Sequence, residues 1–144
     1  MNEGPALAPE TAIALGIAAT AMPFARTPEA EAERWLWVLR LHGDSGVALQ
    51  ALGVGEASIE APHDALRQRP DRATDEEGGI GHVTEHAIRL ARERGAEAVG
   101  TNDVLVAVMD FYGDDFDRVL RAHGTDRDEV LERLAAQQHA RPEA

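Results

Sequence analysis

Four short segments between residues 82 and 134 carry apolar side chains with the period of an α-helix. The clearest one places Leu105, Val108, Met109 and Tyr112 at positions i, i+3, i+4 and i+7, which lie on one face of a helix. A series of such stripes, each only two or three turns long, predicts a compact bundle of short helices.

Turn residues separate these segments and mark where each helix begins and ends. Thr84 is predicted to cap the first of the four helices, and Thr125 or Asp126 the last. Gly113 and Gly124 follow the second and third helices, where glycine easily adopts the positive φ angle that ends a helix. The sequence therefore predicts four helices in a row.

The amino-terminal half repeats this pattern in a fainter form, which predicts an internal duplication. Trp35, Val38 and Leu39 have the spacing of the stripe that begins at Leu105, about 70 positions later. Gly53 falls on Gly124 when the two halves are aligned, about 71 positions apart.

The first half also has helix signals of its own. Thr27 followed by Pro28 predicts the start of a second helix. In the helix before it, Ile13, Ile17 and Ala21 are predicted to face the core, and Leu15 and Ala18 widen the same stripe. Two tryptophans, Trp35 and Trp37, project about 200° apart on a helix, so we expect one to be buried and the other exposed.

The order and spacing of these features resemble the Clp amino-terminal (Clp R) domain, which is carried by Clp-family unfoldases. The resemblance covers residues 8–138 and is clearest in the second half. It rests on a helix-opening Val83-Thr84 with Ala87, on Val99-Gly100-Thr101 before a Leu-rich helix, and on Val119-Leu120 before Gly124.

This resemblance implies an all-α fold of two tandem four-helix repeats packed with pseudo-twofold symmetry. The expected organisation is a flexible arm at residues 1–8, a domain at 9–138 and a tail at 139–144. Within the domain, repeat one spans 9–60, a polar linker spans 61–81 and repeat two spans 82–138. One helical turn is expected within the linker, at 64–67.

The resemblance also implies protein or peptide recognition, because the Clp domain docks adaptors and client proteins. The surface is expected at the start of each repeat, with an exposed tryptophan as a further anchor. The residues predicted to form it are Val83, Thr84, Val99, Thr101, Asn102, Asp103 and Trp37. Some members bind phosphoarginine, but Asn102 and Ala32 stand where those members carry a glutamate, which argues against that ligand here.

Composition restricts the chemistry further. The net charge is −12, so nucleic acid is not an expected partner. Cysteine is absent, every basic residue is arginine and no phosphate-binding loop is present, which excludes thiol, Schiff-base and ATPase chemistry. We therefore expect a cytoplasmic monomer that binds a protein partner without a metal, a cofactor or membrane attachment.

Two alternatives remain open from the sequence. The chain could sequester a small peptide-like ligand or natural product that would otherwise reach the unfoldase. It could also be an enzyme built on the same fold, with a His–carboxylate pair such as His86–Glu85 or His123–Asp126. His82 and His86 are four residues apart, but we interpret them as surface residues rather than as metal ligands.

Overall fold

The computed structural model describes residues 6–25, 27–54 and 75–140. These residues are almost entirely helical, which confirms the all-α prediction. The seven α-helices in the described part are α1 (Pro9–Ala21), α2 (Pro28–Arg40), α3 (Gly43–Ala51), α4 (Asp75–Glu93), α5 (Thr101–Tyr112), α6 (Asp114–Ala122) and α7 (Arg127–Ala140). A 3₁₀ turn (Met22–Phe24) follows α1, and β1 (Ala6–Leu7) pairs in parallel with β2 (Ala98–Val99).

Several helix ends lie where the sequence predicts them. The Thr27 hydroxyl accepts a hydrogen bond from the Ala30 N–H at the start of α2. The Asp126 carboxylate accepts one from the Glu129 N–H, 2.9 Å away, at the start of α7. Gly124 has a φ of 94°, which only glycine adopts without strain, so the chain can turn directly after α6.

The core is formed by the apolar stripes of α2, α5 and α6. Trp35 and Phe116 are among its largest fully buried side chains. The α5 stripe from Leu105 to Tyr112 faces inward, as its spacing predicts. Burial on this scale contributes roughly 1.5–3 kcal/mol for each large apolar side chain.

A buried polar network crosses this core between α2 and α5. The Trp35 indole N–H donates to the Tyr112 hydroxyl over 3.2 Å, and that hydroxyl donates to a Glu31 carboxylate oxygen over 2.9 Å. Glu31 is only 1% exposed. Because buried polar groups are costly without partners, this network fixes how α2 and α5 lie against each other.

Helix α4 corrects one predicted boundary. It begins at Asp75, nine residues before Thr84, so Thr84 lies within the helix and does not cap it. The last part of the predicted linker, residues 75–81, is therefore helical. The end of repeat one at 55–60 and the predicted turn at 64–67 lie outside the described residues, as do residues 1–5 and 141–144.

Helix α1 corrects a second prediction. Ile13 and Ile17, expected in the core, are 55% and 43% exposed. The buried face consists of Thr11, Ala14, Leu15 and Ala18, so the prediction is confirmed only for Leu15 and Ala18. The Thr11 hydroxyl donates to the Val99 carbonyl over 2.7 Å, and the buried face packs against α2, α4 and α5.

Candidate interaction surface

The start of α5 was predicted to be a recognition surface, but its side chains are engaged within the fold. The Asp103 carboxylate accepts two hydrogen bonds from the Arg94 guanidinium, at 2.9 and 2.6 Å, and a third from the Gly100 N–H at 2.9 Å. Asp103 is 4% exposed. The hydrogen bonds between Arg94 and Asp103 raise the pKa of Arg94 above its usual value, and burial of Arg94 opposes this rise only in part.

Thr101 has a role that joins the two halves of the chain. Its hydroxyl accepts a hydrogen bond from the Ser45 N–H over 3.0 Å and donates one to the His42 carbonyl over 3.2 Å. Ser45 is the third residue of α3, where the backbone N–H has no partner within the helix. Thr101 therefore caps α3 from another helix, 56 residues away in the sequence.

The other predicted residues around α5 are also enclosed. Val83 on α4 and Val99 on β2 are fully buried in the core cluster. Asn102, expected on an exposed first turn, is 8% exposed. Thr84 is half-buried on α4. Only a small part of these side chains faces solvent, so they offer little surface to a partner that binds the folded domain.

Trp37 is the one predicted residue with a large exposed side chain, and it is 52% exposed on α2. Its neighbour Trp35 is fully buried, which confirms the expected division between core and surface. Leu41, one turn further along, is 56% exposed. Arg34 and Arg40 stand at i−3 and i+3 from Trp37, so both project from the same side of the helix as Trp37.

This group of Trp37, Leu41, Arg34 and Arg40 is termed here the Trp37 face. It is positioned rigidly, because the opposite side of α2 carries the core residues Trp35, Leu36 and Leu39. The Arg40 Nε donates to the Val54 carbonyl over 3.0 Å, which fixes the end of the helix against the chain after α3.

The histidines form pairs that differ from the two predicted ones. The His86 Nε2 lies 2.8 Å from a carboxylate oxygen of Asp110, and Asp110 also accepts from Arg127 over 3.1 Å. The His123 Nε2 lies 3.1 Å from a Glu33 carboxylate oxygen. Each pair joins side chains from different parts of the chain.

His82 stacks on Phe111 with ring centroids 5.7 Å apart. Within the described ranges, no three His, Asp or Glu side chains are grouped closely enough to hold a metal ion.

The chain matches no protein-family model, and comparisons with curated proteins and with solved structures also find no match. None of the helices in the described part of the chain is long and apolar enough to cross a membrane. The function must therefore be argued from the residues themselves.

The sequence analysis missed Leu41 as a member of the Trp37 face. Its position four residues after Trp37 was a usable signal, because residues at i and i+4 share one side of a helix. The role of Thr101 had no such signal, since the helix that it caps lies in the other half of the chain.

Proposed function

We propose that this chain is a protein- or peptide-recognition module that resembles the Clp amino-terminal domain. It would act as an adaptor, regulator or decoy in Clp-dependent proteolysis, without enzymatic activity of its own. The observation that carries the proposal is the Trp37 face, where a large aromatic side chain lies half exposed on a helix fixed to the core.

Exposed tryptophans of this kind are frequent anchors of protein interfaces. A tryptophan side chain buries a large apolar area and still offers an N–H donor, so it contributes strongly to binding. Leu41 extends the apolar surface, and Arg34 and Arg40 provide donors at its edge. This composition, an apolar centre with a polar rim, is typical of interfaces between proteins.

The likeness to the Clp domain depends on an internal duplication, and four glycines support it. Gly43 and Gly113 begin α3 and α6 with φ angles of 57° and 58°. Gly53 and Gly124 follow the same two helices with φ angles of 89° and 94°. The two halves thus have glycines with positive φ angles at matching places, which supports the duplication.

Helix packing is consistent with the same duplication. Helix α2 packs against α6, and α5 packs against α3. Exchanging the two halves turns the first contact into the second, which is what a pseudo-twofold axis between two repeats requires. The proposed architecture is therefore two repeats, each of which contributes one long and one short helix to their mutual contact.

The proposal does not include phosphoarginine as a ligand. Asn102 and Ala32 lack the carboxylate that would pair with a guanidinium group, and both are buried. Next to Asn102, Asp103 already binds the guanidinium group of Arg94, and next to Ala32, Glu33 lies 3.1 Å from the His123 Nε2. Recognition is therefore assigned to the Trp37 face rather than to the start of the second repeat.

A degradation assay tests the proposal. The purified full chain is added to a Clp unfoldase–protease reaction from the same cell, and the rate of client degradation is followed as the chain is titrated. A decoy lowers the rate and an adaptor raises it for particular clients, and Trp37→Ala should abolish either effect.

Phe111→Ala is the matched control, because Phe111 is a partly exposed aromatic residue on a different helix, α5. Circular dichroism verifies that both variants are folded. A degradation rate that is unchanged at every concentration of the wild-type chain would contradict the proposed role.

A further inference from the structure

Helix α1 exposes a face without charges. Residues 11–25 contain no acidic or basic side chain, in a protein whose net charge is −12. Ile13 and Ile17 are 55% and 43% exposed on this face, and Ala12, Gly16 and Thr20 are also exposed. A helix that is apolar on all sides is normally covered on all sides, so part of this surface lacks a partner within the described fold.

The exposed face is shaped as a ridge beside a groove. Ile13 and Ile17 are four residues apart and form a ridge along the helix. Ala12, Gly16 and Thr20 follow the same spacing and form the adjacent row of small side chains. An added Cβ at Gly16 would meet nothing within 4 Å, so the groove is open at its centre.

We propose that α1 binds α1 of a second copy of this chain, so that the protein forms a weak twofold homodimer. The ridge of one helix fits the groove of the other, because both rows have the i±4 spacing that interdigitates in the commonest class of helix packing. Each copy has one ridge and one groove. In a twofold dimer, the ridge of each copy therefore packs into the groove of the other.

Charge favours a second copy at this face over any other part of the surface. Two molecules of charge −12 repel each other. The α1 face brings uncharged residues together, so the apolar contact is opposed least there. One crossing of two short helices buries less than the roughly 1,200 Å² of a standard interface, so the dimer should dissociate readily on dilution.

This inference replaces the expectation of a monomer. That expectation rested on two packed repeats closing their own core, of which Ile13 and Ile17 were predicted to be part. Their exposure removes the premise. The dimer is independent of the proposed function, because the α1 face and the Trp37 face share no residue.

Sedimentation equilibrium of the full chain from about 1 µM to about 1 mM, a range that spans weak affinities, tests the proposal. Gly16→Leu is the most informative variant. It fills the groove, so we expect the dimer dissociation constant to rise at least about tenfold, which is the scale of an interface hot spot. The melting temperature should rise, because leucine favours a helix more than glycine does and meets no clash here.

Ile17→Glu should weaken the dimer by at least as much, because it places a charge in the apolar contact. Val47→Glu is the control, since Val47 is a 57% exposed apolar residue on α3. It should leave the dissociation constant within about twofold of the wild-type value, a difference well below that of one interface hot spot.

Three results would overturn the proposal. The first is a wild-type chain that remains monomeric at the highest concentration. The second is a dimer that Val47→Glu weakens as much as Ile17→Glu does. The third is a monomer in which Ile17→Glu lowers the melting temperature by several degrees, because another segment of the same chain would then cover α1.

Discussion

At the scale of single residues, the hydroxyl of Thr101 provides the clearest link between the two halves of the protein. It caps α3 through the Ser45 N–H and also binds the His42 carbonyl. Thr101→Val keeps the shape of the side chain and removes both hydrogen bonds. We expect a loss of about 1–2 kcal/mol in the free energy of unfolding.

Amide hydrogen exchange provides a direct measurement of this cap. The Ser45 N–H should exchange much faster in Thr101→Val than in the wild-type protein. Thr101→Ser retains the hydroxyl and should retain the protection. Equal exchange rates of the Ser45 amide in the wild-type and Thr101→Val proteins would show that the hydroxyl does not cap α3 in solution.

A second residue-scale prediction concerns the ion pair of Arg94 and Asp103. Asp103→Asn keeps the size of the side chain. It removes the negative charge and one of the two oxygens that accept hydrogen bonds from the Arg94 guanidinium group. We expect a loss of about 1–3 kcal/mol in the free energy of unfolding, because Asp103 is buried. Arg121→Gln is the control. It breaks the exposed pair with Asp117 and should cost less than about 1 kcal/mol.

The pH dependence of the Arg94 pair follows from the direction of its pKa. The pKa of Arg94 is raised in the folded state. The ion pair therefore stabilises the fold fully at every pH below the pKa that Arg94 has in the unfolded chain. It is lost only as the pH rises through the higher, folded-state value. The difference in unfolding free energy between Arg94→Gln and wild type should therefore be constant from about pH 6 to 9. A difference that shrinks over this range in urea titrations would contradict this assignment.

At the scale of elements, the same substitution should have opposite effects at two glycines. Neither Gly16 nor Gly113 has a neighbour within 4 Å of an added Cβ, so space is not limiting. Gly16 lies inside α1, and Gly16→Ala should stabilise the fold by about 0.5–1 kcal/mol. Gly113 has a φ of 58°, so Gly113→Ala should destabilise it by at least about 1 kcal/mol.

Thermal unfolding of dilute protein, followed by circular dichroism, measures both variants. The melting temperatures should move in opposite directions. A shared direction would show that backbone conformation does not determine the effect at these two positions.

The sequence predicted α2 and α6 well because each has a charged side opposite its apolar stripe, whereas α5 was predicted from the spacing of its apolar side chains alone. The contrast between the two sides identifies the buried face. Helix α1 offers no such contrast, because Glu10 is its only charged residue. Its buried face was therefore assigned too broadly, because nothing in the sequence separates Ile13 and Ile17, which are exposed, from Leu15, which is buried.

The candidate surface was harder to predict than the helices. A threonine before an apolar segment is a common helix start, which made Thr84 a reasonable cap, but α4 begins nine residues earlier at Asp75. Asp103 looked available to a ligand because its partner Arg94 lies outside the helix that carries it. The exposure of Trp37 was predicted correctly, since the angle between Trp35 and Trp37 depends only on helix geometry.

At the scale of the whole molecule, the distribution of charge accounts for the proposed division of roles. Because the net charge is −12, the protein repels most acidic proteins electrostatically. Two surfaces depart from this average. The α1 face is uncharged and suits a second copy, whereas the Trp37 face combines an aromatic ring with two arginines and suits a partner with apolar and acidic side chains.

The affinity of the full chain for the purified, full-length Clp unfoldase of the same cell tests the central claim most directly. Trp37→Ala and the control Phe111→Ala are compared with the wild-type chain by isothermal titration calorimetry. We predict that Trp37→Ala raises the dissociation constant at least about tenfold, whereas Phe111→Ala stays within about twofold. Absence of wild-type binding, or equal affinities for wild type and Trp37→Ala, would contradict recognition through the Trp37 face.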